Sequence, residues 1–227
     1  MEKWAERRGK SIPRDSSFVG STFVTASSEL EVMEDRGFDI IPCSPANPGL
    51  ITAAKAEFQV PLQKSKKESP ELSCVAIKEF GPNCRELFSY GVEVSLVLRY
   101  HASLANTLEL ATNEFITSRC GPYQDAVKDE AIMSTVRNNP QLPPYRAGPG
   151  KVLLFKPIDH GLSEEVGFLR YFEGSHRKSK PIGEMPERGI SVELDHILAM
   201  DGDLVIRWPK TGGAIFMLQG IIKKSPK

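Results

Sequence analysis

The sequence predicts a mainly β fold of the α+β kind: a double-stranded β-helix, or jelly roll, with flanking N-terminal helices. Apolar runs separated by tight polar turns fill two C-terminal stretches, residues 151–177 and 201–220. Short strands joined by regular turns are typical of a sandwich or a barrel. The N-terminal part instead carries apolar residues at helical spacing, which predicts helices beside the sheets.

Composition and charge are those of an ordinary globular protein. The 227 residues are enough to bury a sizeable core, with 40% apolar and 26% charged residues. Lysine plus arginine number 29, as do aspartate plus glutamate, so no net charge attracts nucleic acid or an anionic membrane as a partner. The sequence shows neither a signal-peptide core nor a membrane-spanning apolar run, which predicts a cytoplasmic protein. The oligomeric state stays open.

The cysteines predict neither a zinc site nor disulfides. Cys43, Cys74, Cys84 and Cys120 are far apart in the sequence, and no two of them form a C-x-x-C pair. We expect reduced thiols that behave as small hydrophobic side chains in the core.

The predicted domain organisation is simple. Residues 1–27 are polar and form a partly ordered arm, and residues 28–227 form a single jelly-roll domain with a helical N-terminal part. Ser28 is a suitable N-cap for a first helix, which ends before Gly37. Residues 38–41 then alternate as a strand.

A second helix is predicted to start at Pro48, because Asn47 can cap it and proline is favoured at the first helical position. Apolar residues recur at helical spacing to about Gln59, and Pro61 is expected to end the helix. The polar run 63–70 then forms an exposed linker.

The middle of the chain is predicted to hold a strand and two helices. Residues 91–100 alternate strictly and favour a strand, with a helix as the competing interpretation. A helix follows up to Gly121, and residues 125–136 form another. Residues 138–150 contain four prolines and two glycines, and are expected to form a loop that frames the mouth of a pocket.

The C-terminal half shares its pattern of turns and strands with one family. The matching segments are an Asp-containing turn at 158–160, a glycine-led strand at 166–169, Gly-Ser-His-Arg at 174–177 and a Gly-Asp-led strand at 202–206. Together with Arg-Gly-Phe at 36–38, they resemble the phytanoyl-CoA dioxygenase-like branch of the iron and 2-oxoglutarate oxygenases. The resemblance covers about residues 30–60 and 150–222, and it implies a double-stranded β-helix.

The resemblance also implies an iron site, and this sequence lacks its ligands. The family binds iron through His-x-Asp or His-x-Glu ahead of the first C-terminal strand, and through a second histidine after the Gly-Asp strand. The four histidines, His101, His160, His176 and His196, occupy neither place. Residues 208–213 stand where the second histidine is expected. We therefore predict no metal and no cofactor.

Four residues near the missing iron site are predicted to meet a ligand. Tyr145 and Arg146 sit in the proline-rich loop, where a tyrosine can stack or donate a proton and an arginine can pair with a carboxylate. Arg207 and Trp208 end a strand, and alternation sends one of the two into the barrel. We assign Tyr145 to catalysis, and Arg146, Arg207 and Trp208 to ligand binding.

His160 is the second candidate for catalysis. It follows Asp159, and a carboxylate can orient an imidazole for general-base work. A plain surface turn is the alternative, since adjacent side chains point in different directions. His176, in the Gly-Ser-His-Arg turn, is expected to make structural hydrogen bonds.

These observations predict an iron-free barrel that binds a small apolar or carboxylated molecule in its cavity, with cofactor-independent isomerase or cyclase activity as one form of that function. A non-catalytic scaffold or binding module is the alternative, since one fold hosts many functions. An iron and 2-oxoglutarate dioxygenase with unorthodox ligands is the third hypothesis. Whether the chain is an enzyme stays open.

Overall fold

The computed structural model describes residues 26–43, 47–68, 72–76, 81–88, 107–121, 125–135, 142–177, 181–210 and 212–224. The helices in these ranges are α1 Ala26–Arg36, α2 Pro48–Glu68, α3 Pro82–Phe88 and α4 Thr107–Cys120. The strands are β1 Phe38–Pro42, β2 Leu72–Ala76, β3 Val127–Thr135, β4 Lys151–Pro157, β5 Arg170–Phe172, β6 Glu187–Gly189, β7 His196–Asp201, β8 Ile206–Arg207 and β9 Ile215–Ile222.

The described strands form two antiparallel sheets. The large sheet has the strand order β1-β7-β4-β9-β3-β2, and the small sheet has the order β6-β5-β8. Strands distant in sequence lie side by side, as β7 does between β1 and β4, which is the crossover pattern of a jelly roll. The mainly β architecture with N-terminal helices confirms the fold class predicted from the sequence.

The inner core lies between the two sheets. Phe155 and Phe216 of the large sheet pack there against Phe168 and Trp208. Phe155 and Phe168 meet edge to face, with ring centroids 5.6 Å apart. Such aromatic pairs contribute about 0.5–1.5 kcal/mol beyond the burial of their area.

Helices cover the outer face of the large sheet. Met33 of α1 and Phe115 of α4 pack against Val152 and Leu154 of β4. α2 and α3 cover the neighbouring part of the same face. Because β4 is buried on both faces, residues 152–155 form a continuous apolar run rather than an alternating one.

A largely buried arginine ties α1 and α4 to the large sheet. Arg119 of α4 donates from Nη1 and Nη2 to the two carboxylate oxygens of Glu34, at 2.8 Å each. Its Nε donates to Asp201 of β7 at 2.6 Å. The hydrogen bond from Arg119 lowers the pKa of the Glu34 carboxyl, and this effect exceeds the opposing effect of burial.

One predicted helix is in fact a strand. The spacing predicts a helix over residues 125–136, but Val127–Thr135 forms β3 and pairs with both β2 and β9. Ile132 packs under α2 and α3, whereas Met133 faces the inner core. Consecutive apolar residues on opposite faces of a strand imitate helical spacing, and sheet pairing on both edges decides the structure.

The second helix runs past the proline that was expected to end it. α2 contains Pro61 and continues to Glu68, so the predicted linker 63–70 is helical through residue 68. Phe58 and Leu62 lie on either side of Pro61 and are both buried. Their burial, about 1.5–3 kcal/mol each, outweighs the cost of about 3 kcal/mol for a proline inside a helix.

Other predicted elements are observed, shortened or untested. α1, β1 and α4 occur where the sequence predicts them. The apolar run 166–172 yields only the short strand β5, because a 3-10 turn at Glu164–Val166 precedes it. The predicted strand 91–100 lies outside the described residues, as does most of the N-terminal arm. Within the described ranges, no helix has the length and apolar character to span a membrane.

Candidate ligand-binding site

An apolar cavity of about 370 Å³ opens between the two sheets. Its wall combines side chains of the large sheet, of β8 and of the loop before β4. The lining residues are Met133, Leu142, Pro143, Tyr145, Leu153, Phe155, Ile206, Trp208 and Leu218. None of these side chains is charged at neutral pH, and the volume is that of a site for a small organic molecule.

A backbone bridge between Tyr145 and Ile206 holds one side of the cavity together. The Tyr145 N–H donates to the Ile206 carbonyl at 2.8 Å, and the Ile206 N–H donates to the Tyr145 carbonyl at 2.9 Å. Pro143 and Pro144 have no N–H, so Tyr145 supplies the first main-chain donor after them. The bridge thereby fixes the proline-rich loop against β8.

Trp208 forms an aromatic part of the wall. Its indole stacks on Phe216 with 13° between the ring planes and 5.8 Å between centroids. It also meets Phe168 edge-on at 6.3 Å. With only 8% of its surface exposed, Trp208 is held in place by these rings.

The turn that follows Trp208 is anchored to β3 by Thr135. The Thr135 Oγ1 accepts hydrogen bonds from the N–H groups of Gly213 at 3.1 Å and Ala214 at 3.0 Å. The Thr135 N–H also donates to the Ala214 carbonyl at 3.0 Å. Thr135 is buried, so these bonds fix the turn where the family resemblance places an iron-binding histidine.

Two of the five predicted site residues, Tyr145 and Trp208, line this cavity. Tyr145 is 54% exposed and lies at the mouth, whereas Trp208 is buried. The structure therefore brings together a residue of the proline-rich loop and a residue of the β8 segment, which were singled out separately. Their roles in catalysis and ligand binding remain predictions.

Arg207 lies on the opposite face of the small sheet. Its Nη1 donates to Glu187 at 2.7 Å, and its guanidinium lies 4.9 Å from the centre of the Phe172 ring. Strand alternation is the reason: Ile206 and Trp208 face the cavity, so the residue between them faces outward. The ligand contact predicted for Arg207 is therefore not made at this wall.

Arg146 and His160 also lie outside the lining. Arg146 donates from Nη2 to the carbonyl of Ser175 at 3.1 Å. His160 is exposed, and Asp159 beside it pairs with Lys55 of α2 at 2.5 Å. The acid that was considered as an orienting partner for His160 is thus engaged with a lysine, and the geometry favours the surface-turn alternative.

The Gly-Ser-His-Arg turn packs against α1. His176 Nε2 lies 3.0 Å from the carbonyl oxygen of Glu34, and its ring covers Gly37. Ser175 accepts a hydrogen bond on Oγ from the buried N–H of Val205 at 2.8 Å. This turn therefore has a structural role, as the sequence predicts for His176.

The two segments in which the family resemblance places iron ligands meet at this cavity. The Tyr145 bridge sets the proline-rich loop beside the end of β8. The side chains there are Leu142, Pro143, Tyr145 and Trp208, whereas a facial triad needs two imidazoles and a carboxylate. Throughout the described ranges, no three His, Cys, Asp or Glu side chains form a metal-binding group. These residues do not fit iron, and a wall without a cation does not fit the carboxylates of 2-oxoglutarate.

Solved structures similar to this chain share its architecture. AviO1 from Streptomyces viridochromogenes Tue57 is 16% identical, covering 92% of this chain and 99% of that chain, with a TM-score of 0.58. The chain has the jelly-roll fold of the iron and 2-oxoglutarate oxygenases. At this identity the likeness establishes the fold alone.

Two further structures give the same result. HygX from Streptomyces hygroscopicus, solved with nickel, 2-oxoglutarate and hygromycin B, is 12% identical, covers 88% of each chain and has a TM-score of 0.55. SnoK, a non-heme alpha ketoglutarate dependent carbocyclase from nogalamycin biosynthesis, is 9% identical, covers 88% of this chain and 86% of that chain, and has a TM-score of 0.54. No protein-family model and no curated protein matches the sequence.

Much of the cavity wall comes from residues that the sequence analysis did not single out. Leu153 and Phe155 point inward from β4, and Leu218 of β9 lies opposite Phe155 in the strand register. Side chains two positions apart on a strand share a face, and this alternation along β4 could have identified Leu153 and Phe155. Met133 is not predicted to line the cavity, because the spacing predicts a helix for its segment.

Proposed function

We propose that the chain is an iron-independent jelly-roll protein that binds a small apolar ring compound between its two sheets. The observation that carries the proposal is the cavity wall, which encloses about 370 Å³ without a charged side chain. Apolar clefts of this size with few polar groups are the usual form of small-molecule sites.

The aromatic wall supports a ring-shaped ligand. Trp208 and Phe155 offer ring surfaces inside the cavity, and Tyr145 offers a hydroxyl group at the mouth. The sequence left apolar and carboxylated ligands equally open. Since Arg146 and Arg207 are engaged with other groups outside the wall, an uncharged ligand has the better support.

Binding has more support than catalysis. General acid–base chemistry needs titratable groups within hydrogen-bond reach of the substrate. Tyr145 is the one titratable side chain among the described lining residues. An isomerase or cyclase would therefore depend on this hydroxyl and on the shape of the cavity. A structural scaffold has less support, because a barrel used only as a scaffold has no need of an open cavity.

Titration with N-phenyl-1-naphthylamine, an uncharged fluorescent ring compound, tests the proposal. We expect saturable binding with increased emission. Leu218→Trp should reduce the space in the cavity, because Leu218 lines its wall and an indole is larger than a leucine side chain. We expect this variant to bind about tenfold more weakly, equivalent to about 1.4 kcal/mol.

The matched control is Leu194→Trp, the same replacement at an exposed leucine outside this wall. It should keep the wild-type affinity. Equal affinity of both variants and the wild type would refute binding in the cavity. Iron(II) and 2-oxoglutarate should leave the affinity unchanged, whereas stoichiometric iron with turnover of 2-oxoglutarate would establish the dioxygenase alternative.

A further inference from the structure

A buried lysine and a buried cysteine meet on the helix-covered face of the large sheet, away from the apolar cavity. Lys156 Nζ lies 2.7 Å from Cys43 Sγ, although the residues are 113 positions apart in the sequence. Lys156 is 2% exposed and Cys43 is 7% exposed. Neither residue lines the cavity proposed to bind a ligand.

The two atoms are closer than an ordinary hydrogen bond to sulfur would place them. An N–H···O hydrogen bond measures about 2.9–3.0 Å, and sulfur is a larger atom than oxygen. A separation of 2.7 Å is nevertheless longer than a covalent nitrogen–sulfur bond. The separation matches the distance between a nitrogen atom and a sulfur atom that are both bonded to one oxygen atom.

The fold fixes both partners. Lys156 belongs to β4, where it lies opposite Met217 of β9. Cys43 follows β1, and its N–H donates to the carbonyl of Asp195 at 2.7 Å, just before β7. Because β7 lies between β1 and β4, the lysine–cysteine contact reaches across a whole strand of the sheet.

We propose that Lys156 and Cys43 form a reversible, oxidation-dependent covalent cross-link, in which one oxygen atom bridges Nζ and Sγ. The oxidant is hydrogen peroxide. A first equivalent transfers an oxygen atom to the Cys43 thiol, which gives a sulfenic acid and one water molecule. A second equivalent accepts two electrons from the lysine nitrogen as the N–O bond forms. The amine and the sulfenic acid each release one proton, and two further water molecules leave.

A small oxidant has room beside the lysine. Lys156 lines a cavity of about 20 Å³ beneath α2 and α3, with Ile51 and Leu87 among its other walls. A space of that size admits a molecule on the scale of water. Glutathione does not fit that space and the Cys43 thiol is 7% exposed, so the neighbouring amine is the group placed to bond to the sulfenic oxygen.

The cross-link would fasten β1 to the centre of the large sheet. It would join residues 113 positions apart, and a bond of that kind restricts the unfolded chain far more than the folded one. The oxidised protein therefore melts at a higher temperature than the reduced protein.

Peptide mapping of the full chain after peroxide treatment tests the cross-link. Trypsin does not cut between Lys156 and Pro157, so Lys156 stays inside peptide 152–170 and Cys43 inside peptide 37–55. We expect these peptides to be joined, with a mass equal to their sum plus one oxygen and minus two hydrogens. Dithiothreitol should separate them and reverse the rise in melting temperature.

Variants supply the controls. Cys43→Ala and Lys156→Met should each abolish the joined peptide, whereas Cys120→Ala, at another buried cysteine, should keep it. The mapping itself uses the unsubstituted protein, so a variant that folds poorly does not weaken the test. Peptides that stay separate, Cys43 oxidised to sulfinic acid beside an unmodified Lys156, or a joined pair without the extra oxygen would each overturn the proposal.

Discussion

Trp208 stacks on Phe216 with 13° between their ring planes, at the point of the fold where the family resemblance places an iron-binding histidine. The stacked pair gives that position an apolar surface. The neighbouring proline-rich loop makes the same change, since Leu142 and Pro143 face the cavity there. The described side chains of both segments that line the cavity are therefore uncharged, and this is the reason we propose an uncharged ligand.

Trp208 should report on this cavity by fluorescence. The chain has two tryptophans, Trp4 and Trp208, so Trp4→Phe leaves a single reporter. A buried indole emits at shorter wavelength than an exposed one, and we expect a red shift on unfolding. Bound N-phenyl-1-naphthylamine should quench the Trp208 emission. Quenching that persists unchanged in Leu218→Phe, which narrows the cavity without adding a tryptophan, would place the probe elsewhere.

Thr135→Val should destabilise the turn after Trp208. The substitution keeps the shape of the side chain but removes the hydroxyl oxygen that accepts from Ala214; the Gly213 N–H keeps the Thr135 carbonyl as an acceptor at 2.9 Å. Leaving a buried donor without its partner costs about 1–3 kcal/mol, measurable by urea unfolding. Thr135→Ser keeps the hydroxyl and is the matched control. A loss in Thr135→Val no larger than the loss in Thr135→Ser would contradict the contribution assigned to the hydroxyl.

Gly37→Ala should be more harmful than the same change at Gly174. Both glycines have left-handed backbones, with φ of 76° and 77°. A Cβ at Gly37 would lie 2.7 Å from His176 Nδ1, whereas a Cβ at Gly174 would meet nothing within 4 Å. An alanine in the left-handed conformation costs about 1–2 kcal/mol of stability. Because a Cβ at Gly174 meets no neighbour, Gly174→Ala measures this backbone cost alone.

The excess loss in Gly37→Ala then measures the clash with the imidazole. A second replacement, His176→Ala, should recover part of it, as thermal unfolding of the double variant would reveal. Equal losses at the two glycines would contradict the close contact.

Glu34 should make stability depend on pH in the acidic range. Arg119 lowers the pKa of its carboxyl in the folded state below the ordinary value of 4.5, so the folded chain binds fewer protons there than the unfolded chain. The stabilisation is present above pH 4.5 and is lost as the pH falls through the lowered folded-state pKa. Since the side chain is 45% exposed, we expect about 0.5–1 kcal/mol.

Urea unfolding at several pH values measures this dependence. Glu34→Gln should flatten the acidic slope, whereas Glu31→Gln, at an exposed glutamate of the same helix, serves as the control. An identical slope in wild type and Glu34→Gln would contradict the assignment.

Two cysteines should resist alkylation in the folded protein. Burial raises the pKa of the Cys84 thiol to about 12 and that of the Cys120 thiol to about 11. The thiolate is the reactive form, so iodoacetamide at pH 8 should leave both unlabelled until the chain is unfolded in urea. Mass spectrometry of the labelled peptides reads out each site, and rapid labelling of either in the native state would contradict its burial.

Sequence reasoning reached the C-terminal architecture because its signals are local. The Gly-Asp turn at 202–203 and the apolar run of β4 can each be read within a few residues. β3 could not be read in that way, because its pairing with β9 joins residues far apart in the chain. The packing that carries α2 past Pro61 is likewise a tertiary effect.

Local signals in the sequence also identified part of the candidate site. Trp208 was identified because it stands at a position where a histidine is expected. Alternation could not say whether Arg207 or Trp208 faces inward, since that depends on the register of β8 against its neighbours. The only sequence signal for the contact between Cys43 and Lys156 is a lysine within an apolar strand.

The bridge between Tyr145 and Ile206 consists of main-chain atoms alone. The two hydrogen bonds therefore do not depend on the side chain of Tyr145, which is exposed, whereas the buried Ile206 also packs in the inner core. The main-chain frame of the cavity is thus independent of the side chain at position 145, and replacing Tyr145 changes the chemistry of the mouth without removing the bridge. The scaffold offers a starting point for engineered binding proteins in which selectivity changes while the architecture persists.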